Sequence, residues 1–280
     1  MARAVDQDTR GIIHPAAGFE RFTLTRHPPA PDLAWAVDRY WVVRWDLPDG
    51  ESYEQRILPH PATHLVFEAG TAAIQAISPH DFVAQLTGRG QVFGVKFRPA
   101  SFRPFLGGPV STIAGQRLAA APVLSAASGP GAASNAASDV DEIARVVAAA
   151  GDVNACVPAV EAFLRALGVQ PLPMTASLNS VVDLIVTDRS VIQVGDLARR
   201  LGVNMRKLQR LFADHIGLGP KWVIGRCRVH EAAEAAAGGA AVDWADLAAQ
   251  LGYSDQSHLI RDFTAAVGTP PDRYSRSTHP

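Results

Sequence analysis

The sequence predicts an α+β protein with a β-rich N-terminal domain, a helical connector and an all-α C-terminal domain. Short runs rich in β-branched and aromatic residues fill the first third of the chain, and turn-forming residues separate them. After Val194, by contrast, each segment is bounded by Gly, Pro or a capping residue in the manner of a helix. The length of 280 residues also suits two domains.

The N-terminal domain is assigned to residues 1–118. Its apolar runs predict the strands of a small barrel or sandwich, and they cover residues 41–45, 57–58, 64–67, 73–77 and 92–97. A helical turn is expected within residues 98–106, since proline suits the first position of a helix.

The connector is assigned to residues 119–174. Within residues 119–138, 17 of 20 positions are Ala, Ser, Gly or Pro, a composition that predicts a linker or a poorly packed connection. Two helices are expected to follow, the first capped by Asp139 or Asp141 and the second by Asn154. The pair carries no chemical motif, so packing against a neighbour or dimerisation is its expected role.

The C-terminal domain is assigned to residues 175–280. Its predicted helices cover residues 180–188, 195–202, 204–215, 220–237, 243–251, 255–267 and 271–275.

Residues 196–212 and 246–263 share one pattern at a spacing of fifty positions. In each segment a short helix ends at a glycine, and a second helix follows, capped by Asn204 or Ser254. A Leu and a Phe four positions apart mark the buried face of each second helix. The segments therefore predict two helix-turn-helix units joined by a long helix.

The buried positions determine which side chains of each second helix point outward. With Leu208 and Phe212 buried, the outer face of the first unit carries Arg206, Gln209 and Arg210. Arginine pairs with guanine and glutamine with adenine in the DNA major groove, so these residues are predicted to read bases. The outer positions of the second unit, predicted to read or approach bases, are Gln256, Ser257, His258 and Arg261. The residues predicted to neutralise phosphates are Arg199, Arg200, Lys207 and Lys221.

The net charge of −1 first argues against a nucleic-acid partner. Five cations nevertheless lie within residues 199–210, and no acid interrupts them. A linking helix of about 18 residues spans roughly 27 Å at 1.5 Å per residue, which suits two helices entering successive major grooves. Double-stranded DNA is therefore the predicted partner, bound with modest non-specific affinity.

Residues 178–276 resemble the DNA-binding domain of the AraC/XylS family of transcription regulators. The resemblance rests on residues 217–221 (GLGPK), on Arg226 and Arg228, on residues 252–263 and on residues 268–274 (GTPPDRY). It implies that Arg206, Gln209 and Arg210 read bases in one groove and that Ser257 and Arg261 read them in the next. The second recognition helix departs in carrying two Asp and one Arg, so fewer base contacts are expected there.

The N-terminal region, residues 15–115, resembles more loosely an uncharacterised β-rich domain often fused to such regulators. Residues 40–43 (YWVV), 58–61 (LPHP) and 94–99 (GVKFRP) carry this likeness, which implies effector sensing or dimerisation. Aromatic residues near position 40 line a small-molecule pocket or fill a core. The candidate pocket residues are Trp41, Trp45, His60 and His64.

Alternative functions rest on few residues. His60, His64 and Glu68 suggest a metal site, but on an extended strand they would spread over roughly 26 Å. Cys227, between two arginines, suggests a reactive thiol of a DNA-repair protein, although its helical position favours packing. No catalytic residue, metal or cofactor is therefore predicted.

The sequence as a whole predicts a non-enzymatic, sequence-specific transcription regulator. Its expected partners are double-stranded DNA, a small-molecule effector, RNA polymerase if it activates, and a second copy in a homodimer. An N-terminal domain that only dimerises is the alternative. The polar start and the lack of a long apolar stretch predict a cytoplasmic protein without a membrane segment.

Overall fold

The computed structural model describes residues 10–127, 133–150, 153–238 and 242–278. The sequence-based expectations for residues 1–9 and 128–132 lie outside these ranges. The described strands are β1 (Phe22–His27), β2 (Val37–Asp46), β3 (Ser52–Ile57), β4 (His64–Glu68), β5 (Thr71–Gln75), β6 (Phe82–Thr87), β7 (Arg89–Phe97) and β8 (Arg117–Ala119). The described helices are α1 (Pro15–Phe19), α2 (Arg103–Leu106), α3 (Ala120–Ala127), α4 (Ala133–Ala149), α5 (Val153–Ala166), α6 (Thr175–Thr187), α7 (Val194–Arg200), α8 (Met205–His215), α9 (Pro220–Ala237), α10 (Trp244–Gln250), α11 (Gln256–Val267) and α12 (Pro271–Thr278).

Two antiparallel sheets form the β-rich domain. Six strands make the larger sheet in the order β1-β2-β7-β4-β5-β8, and β3 pairs with β6 in the smaller one. Each predicted apolar run falls within or overlaps an observed strand, except that residues 57–58 are the end of β3 and the loop after it. Strands β1, β6 and β8 were not predicted: four of the six residues of β1 are polar, and β8 has only three residues. The predicted α+β class, with a β-rich N-terminal part and a helical C-terminal part, is confirmed.

One face of the larger sheet packs against helices. Tyr40 of β2 and Phe93 of β7 are fully buried on this face, and α3 and α4 contact β5. Ala120 and Leu124 of α3 are fully buried as well. The expected linker is therefore wrong over residues 120–127: its apolar positions lie four apart and pack as a helix onto the sheet.

The connector helices also begin earlier than predicted. Helix α4 starts at Ala133, so Asp139 and Asp141 lie inside it and do not cap it. Helix α5 starts at Val153, which likewise excludes Asn154 as its cap. Alanine-rich sequence extends both helices beyond the polar residues expected to begin them.

Within the described C-terminal residues, seven helices follow close to their predicted positions. Helix α6 begins at Thr175 rather than at residue 180. One hydrophobic cluster continues from the sheet through α6 to Phe212, Ile216 and Val223. Among the described helices, none combines the length and hydropathy that a membrane span requires.

Candidate functional site

The first helix-turn-helix unit consists of α7, a glycine turn and α8. Leu197 and Ala198 are buried on the inner face of α7. Gly202 then adopts a φ of 63°, in the left-handed region that glycine enters without strain. The Asn204 side chain accepts a 2.7 Å hydrogen bond from the backbone N–H of Lys207, so the predicted cap of α8 is confirmed.

Helix α8 has a buried face and an outer polar face. Leu208 and Phe212 are buried, as their spacing predicts. Arg206, Gln209 and Arg210 are exposed, and within the described residues their side chains make no hydrogen bond or ion pair. Two guanidinium groups and an amide are thus available on one exposed helix face.

The second unit repeats this arrangement with a different cap. Gly252 turns the chain with a φ of 75° between α10 and α11. The predicted cap Ser254 is wrong, because the carboxylate of Asp255 accepts the His258 backbone N–H at 2.8 Å. Ser254 instead donates its hydroxyl to Asp255 at 3.0 Å. A carboxylate in this place also interacts favourably with the helix N-terminus.

The outer positions of α11 are not equivalent. Gln256, Ser257 and Arg261 are exposed. His258 is half-buried: its ring lies edge-on to Tyr253 at 5.1 Å between centroids, and its Nε2 is 3.7 Å from the Asp262 carboxylate. Internal contacts therefore already engage His258, in contrast to the arginine one turn along.

The predicted phosphate-binding residues divide into two groups. Lys207 and Lys221 are exposed on α8 and at the start of α9. Arg199 pairs with Asp196 one turn earlier in α7. Arg200 pairs with Asp188 at 2.8 Å and also donates to the Ser190 hydroxyl at 2.9 Å. Both arginines are exposed but hold local partners that a phosphate would have to replace.

The 18-residue helix α9 joins the two units and contacts both α8 and α11. Arg228 of α9 is almost completely buried, and its Nη2 donates to the carbonyls of Ile185, Asp188 and Val191 at 3.2, 3.1 and 2.8 Å. The adjacent Ile192 reaches the second unit, because a Cβ on Gly252 would lie 2.3 Å from its Cγ2. The segment between α6 and α7 is thereby fixed to α9 and to the glycine turn of the second unit.

A cavity of about 320 Å³ lies between the two sheets of the N-terminal domain. The structure brings together all four predicted pocket residues there, although they come from β2, β4 and the loop before β4. Apolar side chains of its wall include Phe22, Leu24, Val43, Ile57, Val66, Phe82, Leu86 and Val92. Its charged lining residues are Arg10, Arg26, Arg39, Glu68, Lys96 and Arg117.

The aromatic residues of β2 divide between the core and the cavity. Tyr40 points into the core, whereas Trp41 and Trp45 line the cavity. Trp41 lies opposite Gly94 of β7, and Trp45 lies opposite Gly90. A Cβ on Gly94 would be 2.0 Å from Trp41 Cε2, and one on Gly90 would be 2.1 Å from Trp45 Cζ2. Each indole therefore covers the glycine across from it.

Hydrogen bonds fix both indole rings in this position. Trp41 Nε1 donates to His64 Nδ1 at 3.2 Å, and Trp45 Nε1 donates to the Thr87 carbonyl at 3.0 Å. Sequence reasoning did not identify Gly90, and it used Gly94 only as part of the likeness carried by residues 94–99. Their spacing of four residues on a strand, equal to that of the two tryptophans, is the signal that would have found them.

The residues that suggested a metal site lie apart, and the cysteine that suggested a reactive thiol is buried. His64 begins β4, Glu68 ends it and His60 lies in the preceding loop; among the described residues, no three His, Cys, Asp or Glu side chains converge as metal ligands. Burial, with Lys96 nearby, lowers the pKa of His64 to about 3. Burial also raises the pKa of the Cys227 thiol to about 11, which makes a reactive thiolate at neutral pH rare.

Two parts of the chain match known domain families. Residues 197–277 match the family described as a helix-turn-helix domain, and residues 25–119 match a domain of unknown function, DUF6597. The chain carries an AraC-type helix-turn-helix domain. A domain of this type indicates a DNA-binding transcription regulator. No curated protein sequence matches the chain.

Several solved structures of ToxT from Vibrio cholerae are similar to the chain at low sequence identity. An apo form with a lysine-to-alanine substitution has 12% identity and a TM-score of 0.41, covering 85% of this chain and 97% of that chain. A second crystal form has 11% identity and a TM-score of 0.37, covering 93% and 100%. ToxT bound to an unsaturated fatty acid has 9% identity and a TM-score of 0.36, covering 91% and 95%.

The AraC-type domain contacts the wall of the cavity through α9. The rings of His60 and His230 stack with centroids 4.4 Å apart and an interplanar angle of 16°. Arg10 forms a two-point ion pair with Glu234, one turn further along α9, at 2.6 and 2.9 Å. A second cavity of about 190 Å³ lies beside this contact and shares Arg10 and His60 with the first. Two lining residues of the cavity thus touch the helix that joins the helix-turn-helix units.

Proposed function

We propose that the chain is a sequence-specific DNA-binding regulator that inserts α8 and α11 into the major groove of duplex DNA. The exposed, unengaged face of α8, formed by Arg206, Gln209 and Arg210, carries this proposal. A helix of this kind enters the major groove, where arginine and glutamine side chains can make bidentate contacts with base edges.

The second unit contributes fewer contacts in this proposal. Gln256, Ser257 and Arg261 approach bases from the exposed face of α11, whereas His258 mainly supports the helix start. Lys207 and Lys221 neutralise phosphates, and Arg199 and Arg200 exchange their carboxylate partners for phosphates on binding. The net charge of −1 keeps non-specific affinity modest, so recognition depends on base contacts.

Replacing Arg210 with Ala tests the base contact. We expect the affinity for the preferred site to fall by about 1–3 kcal/mol, with preference relaxed at one base position. The preferred site is first obtained by selection from random DNA with the full chain, and the selection is repeated with the variant. An unchanged preference at every position would contradict the assignment.

Lys221→Ala is the matched control for a phosphate contact. It removes one exposed cation near the start of α9, so we expect affinity to fall on all sequences alike. The slope of log K against log salt should decrease by about 1 while the selected sequence stays the same. A changed base preference in this variant would contradict the division of roles.

We further propose that a small molecule in the cavity modulates DNA binding. The contact of His60 and Arg10 with α9 supports this proposal, because a ligand that touches both residues alters how α9 is held. Since α9 joins the two helix-turn-helix units, a shift in its position changes their fit to DNA. The alternative, an N-terminal domain that only dimerises, makes no use of this contact.

The His230→Ala variant separates these two roles. We expect it to select the same DNA sequence as the parent chain, because His230 lies on the side of α9 that faces the N-terminal domain. The change in DNA affinity that a metabolite extract causes in the parent should be largely lost. Exposed His80 supplies the control, and His80→Ala should keep the full response. A full response in His230→Ala, or no response in the parent, would exclude this route.

A further inference from the structure

The residues that line the cavity indicate which class of ligand it binds. The inference rests on the effector role proposed above. We infer that the cavity binds a planar aromatic molecule with one negative charge, stacked on the indoles of Trp41 and Trp45.

The two indoles line the same cavity. They lie four residues apart on β2, and therefore on the same face of the strand. Gly94 and Gly90 leave room for the rings close to the backbone of β7, and both rings line the cavity. Hydrogen bonds to His64 and Thr87 hold the rings there. A ligand ring can stack on these indoles without first ordering them.

The smaller sheet supplies part of the lining, which is apolar except for Gln55 and Gln85. It includes Ile57 of β3 together with Ala84 and Leu86 of β6. The volume of about 320 Å³ lies at the lower end of the usual range for small-molecule sites. An apolar space of this size between two sheets suits a compact ring system better than a long flexible chain.

The charges around the cavity favour an anion. Among the described lining residues, five are Arg or Lys and one, Glu68, is acidic. Glu68 pairs with Arg117 at 3.1 Å, Asp38 pairs with Arg39 and Lys96 at 2.9 and 3.1 Å, and Glu234 pairs with Arg10 at 2.6 Å. The five basic residues thus face three carboxylates, which leaves a net positive charge around the cavity. Burial lowers the pKa values of His60 and His64, so both rings are neutral and add hydrogen-bonding atoms without charge. A single ligand carboxylate is stabilised here, whereas a ligand cation is repelled.

Calorimetric titration of the full chain with three compounds that share one carbon skeleton of two fused rings tests the inference. The probes are 2-naphthoate, its neutral analogue 2-naphthol, and decahydronaphthalene-2-carboxylate, which has the same carbon skeleton without planarity. We expect 2-naphthoate to bind at least about tenfold more tightly than either analogue, since each lacks the stacking face or the charge. Equal or tighter binding of the saturated acid or of 2-naphthol would overturn the inference, as would no binding of 2-naphthoate.

Variants of the indoles locate the bound ring. Trp41→Leu and Trp45→Leu should each weaken 2-naphthoate binding by about five- to tenfold. Trp222 of α9 lies outside the cavity, so Trp222→Leu should leave the affinity unchanged. Thermal unfolding of each variant shows whether its fold is intact. Unchanged affinity in both folded cavity variants would overturn the placement.

The ligand class and the proposed function can fail separately. Binding of 2-naphthoate without any change in DNA affinity would leave the ligand class standing and remove the effector role. Modulation of DNA binding by an extract component that is not a planar anion would retain the effector role and overturn the ligand class.

Discussion

Replacing Arg228 with Met lowers the free energy of unfolding of the AraC-type domain by about 3–5 kcal/mol. Methionine fills a similar volume but cannot donate to the carbonyls of Ile185, Asp188 and Val191, which the buried guanidinium now satisfies. The change also removes one cation from the nearly buried Glu231 carboxylate. Urea denaturation followed by tryptophan fluorescence measures the loss, because Trp222 and Trp244 report on this domain.

Arg189 provides a matched control, since it pairs with the same carboxylate at 2.6 Å from an exposed position. Arg189→Met should cost less than about 1 kcal/mol, because exposed ion pairs contribute little. Equal losses in the two variants would show that the charge on Glu231, rather than the three carbonyls, determines the effect. A loss below about 1 kcal/mol in Arg228→Met would contradict the role assigned to this residue.

The AraC-type domain could be predicted well from sequence because its signals are local. Glycine at the turns and Leu and Phe four positions apart specify a glycine-turned helix pair within some twenty residues. The error at Ser254 arose from two adjacent residues that both favour a cap, of which the structure uses the carboxylate of Asp255. Arg228 was recognised only through the family resemblance, since its partners lie about forty residues away along the chain.

The β-rich domain was predicted less completely because its strands depend on distant partners. Strand β3, with the sequence SYEQRI, is stabilised by pairing with β6, about thirty residues later, rather than by its own apolar content. Similarly, the Ala-rich sequence of α3 does not by itself indicate burial, because its residues become buried only by packing on the sheet. The four candidate pocket residues were named from their chemistry, but the cavity that unites them results from the sheet register.

The contact between the domains could not be predicted from sequence. His60 and His230 lie 170 positions apart, and no local pattern joins them. Burial lowers the pKa of His230 to about 3, so the stacked pair is neutral near pH 7. Stacking of two neutral rings needs only shape and burial, and it leaves no charge pattern in the sequence to predict it.

Gly94→Ala is expected to lower the free energy of unfolding by about 3 kcal/mol, although alanine ordinarily suits a strand better than glycine. The added Cβ would lie 2.0–2.4 Å from three atoms of the Trp41 indole, so the ring must leave its place. Its hydrogen bond to His64 is then lost as well. Urea denaturation of the full chain measures the change. Gly108→Ala is the control, because a Cβ there meets open space and should change stability little.

A double-mutant cycle decides whether the indole causes this loss. In the Trp41→Leu background no ring covers Gly94, so Gly94→Ala should cost about 1–2 kcal/mol less than in the parent chain. The same cycle can be read through ligand affinity, because Gly94→Ala alone displaces the ring that stacks on the ligand. We expect Gly94→Ala and Trp41→Leu to weaken 2-naphthoate binding to the same extent, and the double variant to weaken it no further. Additive losses of stability would contradict the pairing of Trp41 with Gly94, and additive losses of affinity would place the ligand elsewhere in the cavity.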